Sequence, residues 1–134
     1  MFMKRKILTF FINIFLPLAV GLCIYLFFCK GTYINSVLGV EFNFTFNSWL
    51  GVFVKSWACD ILWAYALTHS LYFALYAFKH KLVISAILSV FITTAFELLQ
   101  LFGKVNGTFD ILDILFQIAA VFSAVQVIKR REKV

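Results

Sequence analysis

The chain has 134 residues, of which 63% are hydrophobic and 13% charged. A soluble domain is about 45–50% apolar and about 25% charged, so this composition excludes an ordinary soluble globule and fits long apolar helices in lipid. The net charge is +6, but the basic residues flank apolar runs and no nucleic-acid-binding signature accompanies them.

The first apolar run is Ile7 to Phe28, preceded by Lys4, Arg5 and Lys6. It is longer than a secretory signal core, and no small-residue cleavage site closes it, so it is expected to be a retained helix. Pro17 is expected to kink it. The other runs cover residues 57–78, 82–102 and 108–128, each close to the length of about 20 residues that spans a bilayer. The expectation is one all-α membrane domain over 1–134, with four transmembrane helices in an antiparallel bundle.

Residues 30–56 form the long connection. Phe42, Phe44 and Phe46 alternate with polar residues there, and Asn47-Ser48 is placed to cap a short helix from Trp49 to Val54. So many aromatics suit a segment in the membrane interface or folded back on the bundle.

Four spans put both termini on one side. Lys4, Arg5, Lys6, Lys79, Lys81, Lys129, Arg130, Arg131 and Lys133 lie on that side, against Lys30, Lys55 and Lys104 opposite. The positive-inside rule makes the terminal side cytoplasmic, in the cell membrane. Asp60, Glu97, Asp110 and Asp113 then fall at one depth near the outer face. Carboxylates in hydrocarbon are costly and mark function by default.

Asp110, Asp113 and Gln117 share a helix face, continued by Ala120 and Ala124. Small residues at that spacing permit close helix approach, so this face is expected to point inward. Glu97 and Gln100 share a face with Thr93 and Thr94 one turn deeper. The short turn from Gly103 to Gly107 makes these two helices neighbours.

Bland readings exist for each acid. Thr108 is expected to cap the last helix, which makes Asp110 a first-turn acid favoured by the helix dipole. Asp113 is expected to lie beyond that favourable turn. Glu97 can be interhelical glue with Gln100 or Thr93. Asp60 can pair with Lys55 or Lys104. His69 is read as a packing histidine. Trp49, Trp57, Trp63 and Tyr33 read as an interfacial belt. Cys29 and Cys59 stand at adjoining helix ends, where a disulfide can form; the cysteines have no metal-ligand spacing.

Glu97-x-x-Gln100, a short turn, then Gly107-Thr108-Phe109-Asp110-x-x-Asp113 resembles the VanZ-like family of small bacterial membrane proteins. Asp60 to Leu67 is similar to the helix preceding that motif, and the likeness covers residues 60–124. Lys104 or Asn106 stands where the family usually has Arg, and Gln117 with Ala119-Ala120 replaces its later Asn-x-x-Gly. The resemblance implies an outer-face role linked to glycopeptide resistance.

The functional expectation is an outward-facing acidic pocket acting at the envelope on a lipid or cell-wall-linked ligand. Binding or proton-exchange candidates are Asp60, Glu97, Gln100, Lys104, Asp110, Asp113 and Gln117. Glu97, Asp110 and Asp113 are candidate oxygen ligands for a divalent cation such as Mg²⁺ or Ca²⁺. The alternatives are a non-enzymatic subunit packed on a larger membrane partner and a small ion or proton-coupled transporter, the latter requiring an oligomer.

Overall fold

A computed structural model describes residues 8–28, 37, 39, 48–104 and 109–132. Among them there is no strand. Four helices are long and apolar enough to cross a membrane: α1 (Leu8–Phe28), α2 (Trp49–Ala74), α3 (Lys81–Leu101) and α4 (Ile111–Glu132). The alternating phenylalanines, Cys29, Tyr33 and Thr108 lie outside the described residues.

The boundaries shift for local reasons. In α1, Pro17 has no amide hydrogen, so the turn before it loses a donor. The ladder widens to a π-helical stretch over Phe11–Phe15, with the Leu16 amide donating to the Phe11 carbonyl. The proline produces this bulge inside a continuous helix.

The expected short helix at Trp49 is instead the first part of α2. Ser48 caps it, its Oγ accepting from the Gly51 amide at 3.4 Å. A π-helical turn over Val54–Ala58 then carries the helix straight into the apolar run. At the other end α2 stops at Ala74 rather than Phe78, where the Phe78 amide folds back to the Leu75 carbonyl.

α3 ends in a Schellman motif. The Lys104 amide donates to the Leu99 carbonyl and the Gly103 amide to the Gln100 carbonyl, both at 2.9 Å. This motif needs a left-handed residue, and Gly103 has φ +63°. α4 runs beyond Ile128 to Glu132, because Lys129, Arg130 and Arg131 in its last turn suit the negative end of the helix dipole.

Named contacts give the relative directions of three helix pairs. Asn13 meets Tyr65 and Gly21 meets Cys59, so α1 and α2 run in opposite senses. Glu97 meets Gln117 and Lys81 meets Glu132, so α3 and α4 do too. Trp57 packs on Phe116 while Tyr72 reaches Glu132, so α2 and α4 run the same way.

Most buried residues are polar or small, with Ile14, Val121 and Ile128 as larger apolar exceptions, and many large apolar side chains are exposed. α3 buries Ser85, Ser89, Thr93 and Glu97, one every fourth residue, while Ile87 and Phe91 point outward. Water would favour the reverse; hydrocarbon favours this arrangement, because packing and interhelical hydrogen bonds replace the hydrophobic drive between helices. Ala64, Ala120, Ala124 and Val121 let α2 and α4 approach closely. Ala64 and Ala124 are fully buried. Ala124→Leu is therefore expected to cost about 1–3 kcal/mol by overpacking, seen as a lower unfolding midpoint in detergent, whereas Ser123→Leu on the exposed side changes it little.

Candidate functional site

The acids expected at one depth do gather. Asp113 on α4 lies within electrostatic range of Asp60 on α2, Glu97 on α3 and Asp110 before α4. Three helices thus contribute to one acidic group.

Its buried centre is the pair Glu97 and Gln117. The Gln117 Nε2 donates to Glu97 Oε1 at 3.0 Å. Both side chains are nearly sealed, with 2% and 3% exposure. Glu97 Oε2 and Gln117 Oε1 have no hydrogen-bond partner among the described residues. A buried polar atom without a partner is costly and rare. Two acceptor oxygens left over from one hydrogen-bonded pair call for a donor or positive charge: a proton, a water or a cationic group.

Asp113 is buried one turn above Gln117, and here the expectation needs correcting. α4 starts at Ile111, so Asp110 is its cap and Asp113 lies in its first turn. Asp110 Oδ1 accepts from the Leu112 amide at 2.9 Å. The Asp113 amide donates to the Asp110 carbonyl at 3.2 Å. Asp113 therefore sits in the favourable field of the helix N-terminus, which expectation had reserved for Asp110. Glu97 has no such support: it is deep in α3, toward the negative end of that helix.

Asp60 and Gln100 are half-buried, and Lys104 is exposed. Glu97 bonds across the bundle to Gln117 rather than to Gln100 or Thr93, the partners expected for it. Thr93 Oγ1 donates to the Val90 carbonyl instead.

Among the described residues, no group of three His, Cys, Asp or Glu side chains is placed to hold a metal ion. The trio Glu97, Asp110 and Asp113 is close in charge but does not form a cage. Two surface grooves, of about 350 and 240 Å³, are lined almost entirely by apolar atoms, and none of the acids lines either. Cys59 donates through Sγ to the Gly21 carbonyl at 3.5 Å, tying α2 to α1.

Several polar residues escaped the sequence reading. Ser85 and Ser89 extend the Thr93–Glu97 stripe down α3, and their four-residue spacing was the available signal. Asn13 and Tyr65 form a second polar link, the tyrosine hydroxyl donating to Asn13 Oδ1 at 2.9 Å. Asn13 Nδ2 in turn donates to the Thr9 carbonyl at 2.8 Å. Trp57, assigned to a belt, packs against Phe53 and Phe116, with ring centroids 5.7 and 5.4 Å away.

No family model, no curated protein and no solved structure matches this chain.

Proposed function

We propose that the chain is a VanZ-like multi-pass protein of the cell membrane, an antiparallel four-helix bundle with cytoplasmic termini. Its acid group faces outward and acts at the envelope on a lipid or cell-wall-linked ligand bearing a cationic or proton-donating group. The observation that carries this reading is the sealed Glu97–Gln117 pair with two acceptor oxygens left over, beside three further carboxyls. Like charges in a low-dielectric setting repel, so such a group is stable only with a shared proton or an external positive partner.

The test is exchange of each carboxylate for its amide, with an envelope phenotype such as glycopeptide sensitivity scored beside membrane abundance. Loss of phenotype at normal abundance in Glu97→Gln supports the reading. Full phenotype in both Glu97→Gln and Asp113→Asn sinks it.

A specific observation also favours a second reading, a subunit that packs on a larger membrane partner. Asp110 and Asp113 both have structural uses at the start of α4, and Glu97–Gln117 is an interhelical bond of the kind that glues spans together.

Orientation has its own prediction, from the nine basic residues on the terminal side and three opposite. An impermeant thiol reagent applied from outside, on a background lacking the native cysteines, is expected to label Ser36→Cys and not His80→Cys. The reverse pattern would place the acids on the cytoplasmic side.

A further inference from the structure

We propose that a file of buried polar side chains carries protons through the bundle, from the acid group to the opposite helix ends. This rests on the acid group's outward role proposed above and gives it a connection to the other face.

On α3 the buried residues Glu97, Thr93, Ser89 and Ser85 form one line. At about 1.5 Å per residue they extend for about 18 Å, more than half of a hydrocarbon core about 30 Å thick. α2 adds His69 to the lower half. Tyr72 reaches Glu132 at the Lys81 end of α3, so His69, one turn back along α2, stands near the level of Ser85.

Four atoms of this file are buried without a hydrogen-bond partner among the described residues: Glu97 Oε2, Gln117 Oε1, Ser89 Oγ and His69 Nε2. They belong to side chains no more than 3% exposed. They are spread along the file instead of clustering at one end.

The histidine is informative about its own protons. Its Nδ1 lies 3.1 Å from the Tyr65 carbonyl, an acceptor, so Nδ1 carries the hydrogen. In the neutral ring Nε2 is then a bare lone pair in a sealed interior. It can accept a proton without breaking the Nδ1 bond. Charged and titratable groups reaching it are Tyr65, with rings 4.5 Å apart, and the Arg131 cation of α4. Glu132 and Lys81 lie beyond it, 3.6 Å from each other. The α3 groups on its level, Ser85 and Ser89, are neutral hydroxyls.

Successive stations on α3 are about 6 Å apart, too far for one hydrogen bond and right for two through a single water. Of the α3 hydroxyls, Ser85 and Thr93 donate to the Leu82 and Val90 carbonyls and keep lone pairs that accept from a water, while Ser89 is free to do both. The transfer balances at each step. A proton enters as an O–H bond on Glu97 Oε2. Each water or hydroxyl that gains a proton on one side releases its own on the other. His69 forms an N–H bond at Nε2 and breaks it again to water on the Tyr72 side. One proton moves, and nothing is oxidised or reduced.

The test uses the full chain in phosphatidylcholine–phosphatidylglycerol vesicles loaded with potassium and a pH dye. Valinomycin sets an inside-negative potential, and interior acidification is read. The wild-type protein is expected to acidify the interior roughly tenfold faster than protein-free vesicles. Ser89→Thr, which keeps the hydroxyl, retains the flux; its isostere Ser89→Val falls to the protein-free rate. His69→Phe does the same and serves as the second variant where Ser89→Val fails to insert. Wild-type flux no greater than that of empty vesicles overturns the proposal, as does equal flux in the Thr and Val variants. If the envelope phenotype needs the Glu97 charge but no flux appears, the acid site stands and the proton file falls. If flux follows Ser89 and His69 while the phenotype ignores the charge, the file stands and the envelope reading falls.

Discussion

Glu97→Gln is expected to leave the protein at normal abundance and to abolish its envelope phenotype, with Asp113→Asn doing the same. The amide has the shape of the acid, and its oxygen can still accept the hydrogen bond that Gln117 Nε2 now gives to Glu97 Oε1. The exchange weakens this bond without removing it, because the amide keeps an acceptor for Gln117 Nε2, so the bundle stays folded. What the amide removes is the charge and the ability to take up and release a proton. Asp110→Asn is expected to be milder, because Asn caps helices as well as Asp and can keep the bond to the Leu112 amide. Phenotype and immunoblotted membrane abundance, scored in the same cells, separate the two effects. An Asp110→Asn defect larger than that of Glu97→Gln would move the chemistry to the rim of α4.

The membrane class and the four spans were legible because they rest on runs of about 20 apolar residues, which composition alone reveals. The grouping of Asp60, Glu97, Asp110 and Asp113 was legible because the ends of the apolar runs give each residue a level along the bundle. The Glu97–Gln117 bond was not: depth says which residues share a level, and only the rotation of each helix says which ones touch. The cap of α4 was misassigned by two residues, and this reversed the roles expected for Asp110 and Asp113, since the helix field acts only within the first turn.

The hidden polar file has a different cause. Serine and threonine are ordinary in membrane helices and often satisfy themselves on the preceding turn. Thr68 does so, its Oγ1 donating to the Ala64 carbonyl at 2.8 Å; Ser70 and Ser123 do likewise at 2.9 Å. Four-residue spacing puts Ser89 in the α3 stripe, but nothing in the sequence says that its hydroxyl, unlike these, is left without a partner. Burial alone does not make that distinction, since Thr68 and Ser85 are as fully buried as Ser89 and still donate to the Ala64 and Leu82 carbonyls; it lies in the side-chain rotamer that the packing selects.

Gln117→Leu is expected to lower the stability of the folded bundle by about 2 kcal/mol, within the range of about 1.5–3 kcal/mol for hydrogen bonds to charged groups. Leucine fills a similar volume, so packing is nearly conserved. The loss falls on Glu97, which keeps its burial and gives up its hydrogen bond to Gln117, leaving both carboxylate oxygens unpartnered in a sealed site. Removing one member of a buried polar pair is costly, whereas replacing both with apolar groups is close to neutral. Glu97→Met combined with Gln117→Leu should therefore recover most of the lost stability while remaining without the envelope phenotype. The magnitude decides between readings. A coupling near about 0.6 kcal/mol marks ordinary interhelical glue. A coupling of about 2 kcal/mol marks a carboxylate whose charge the bundle must manage. The measurement is a double-mutant cycle from reversible unfolding in mixed micelles. A double variant less stable than Gln117→Leu alone would mean that Glu97 is satisfied by something other than Gln117, and that the pair is not the centre of the site.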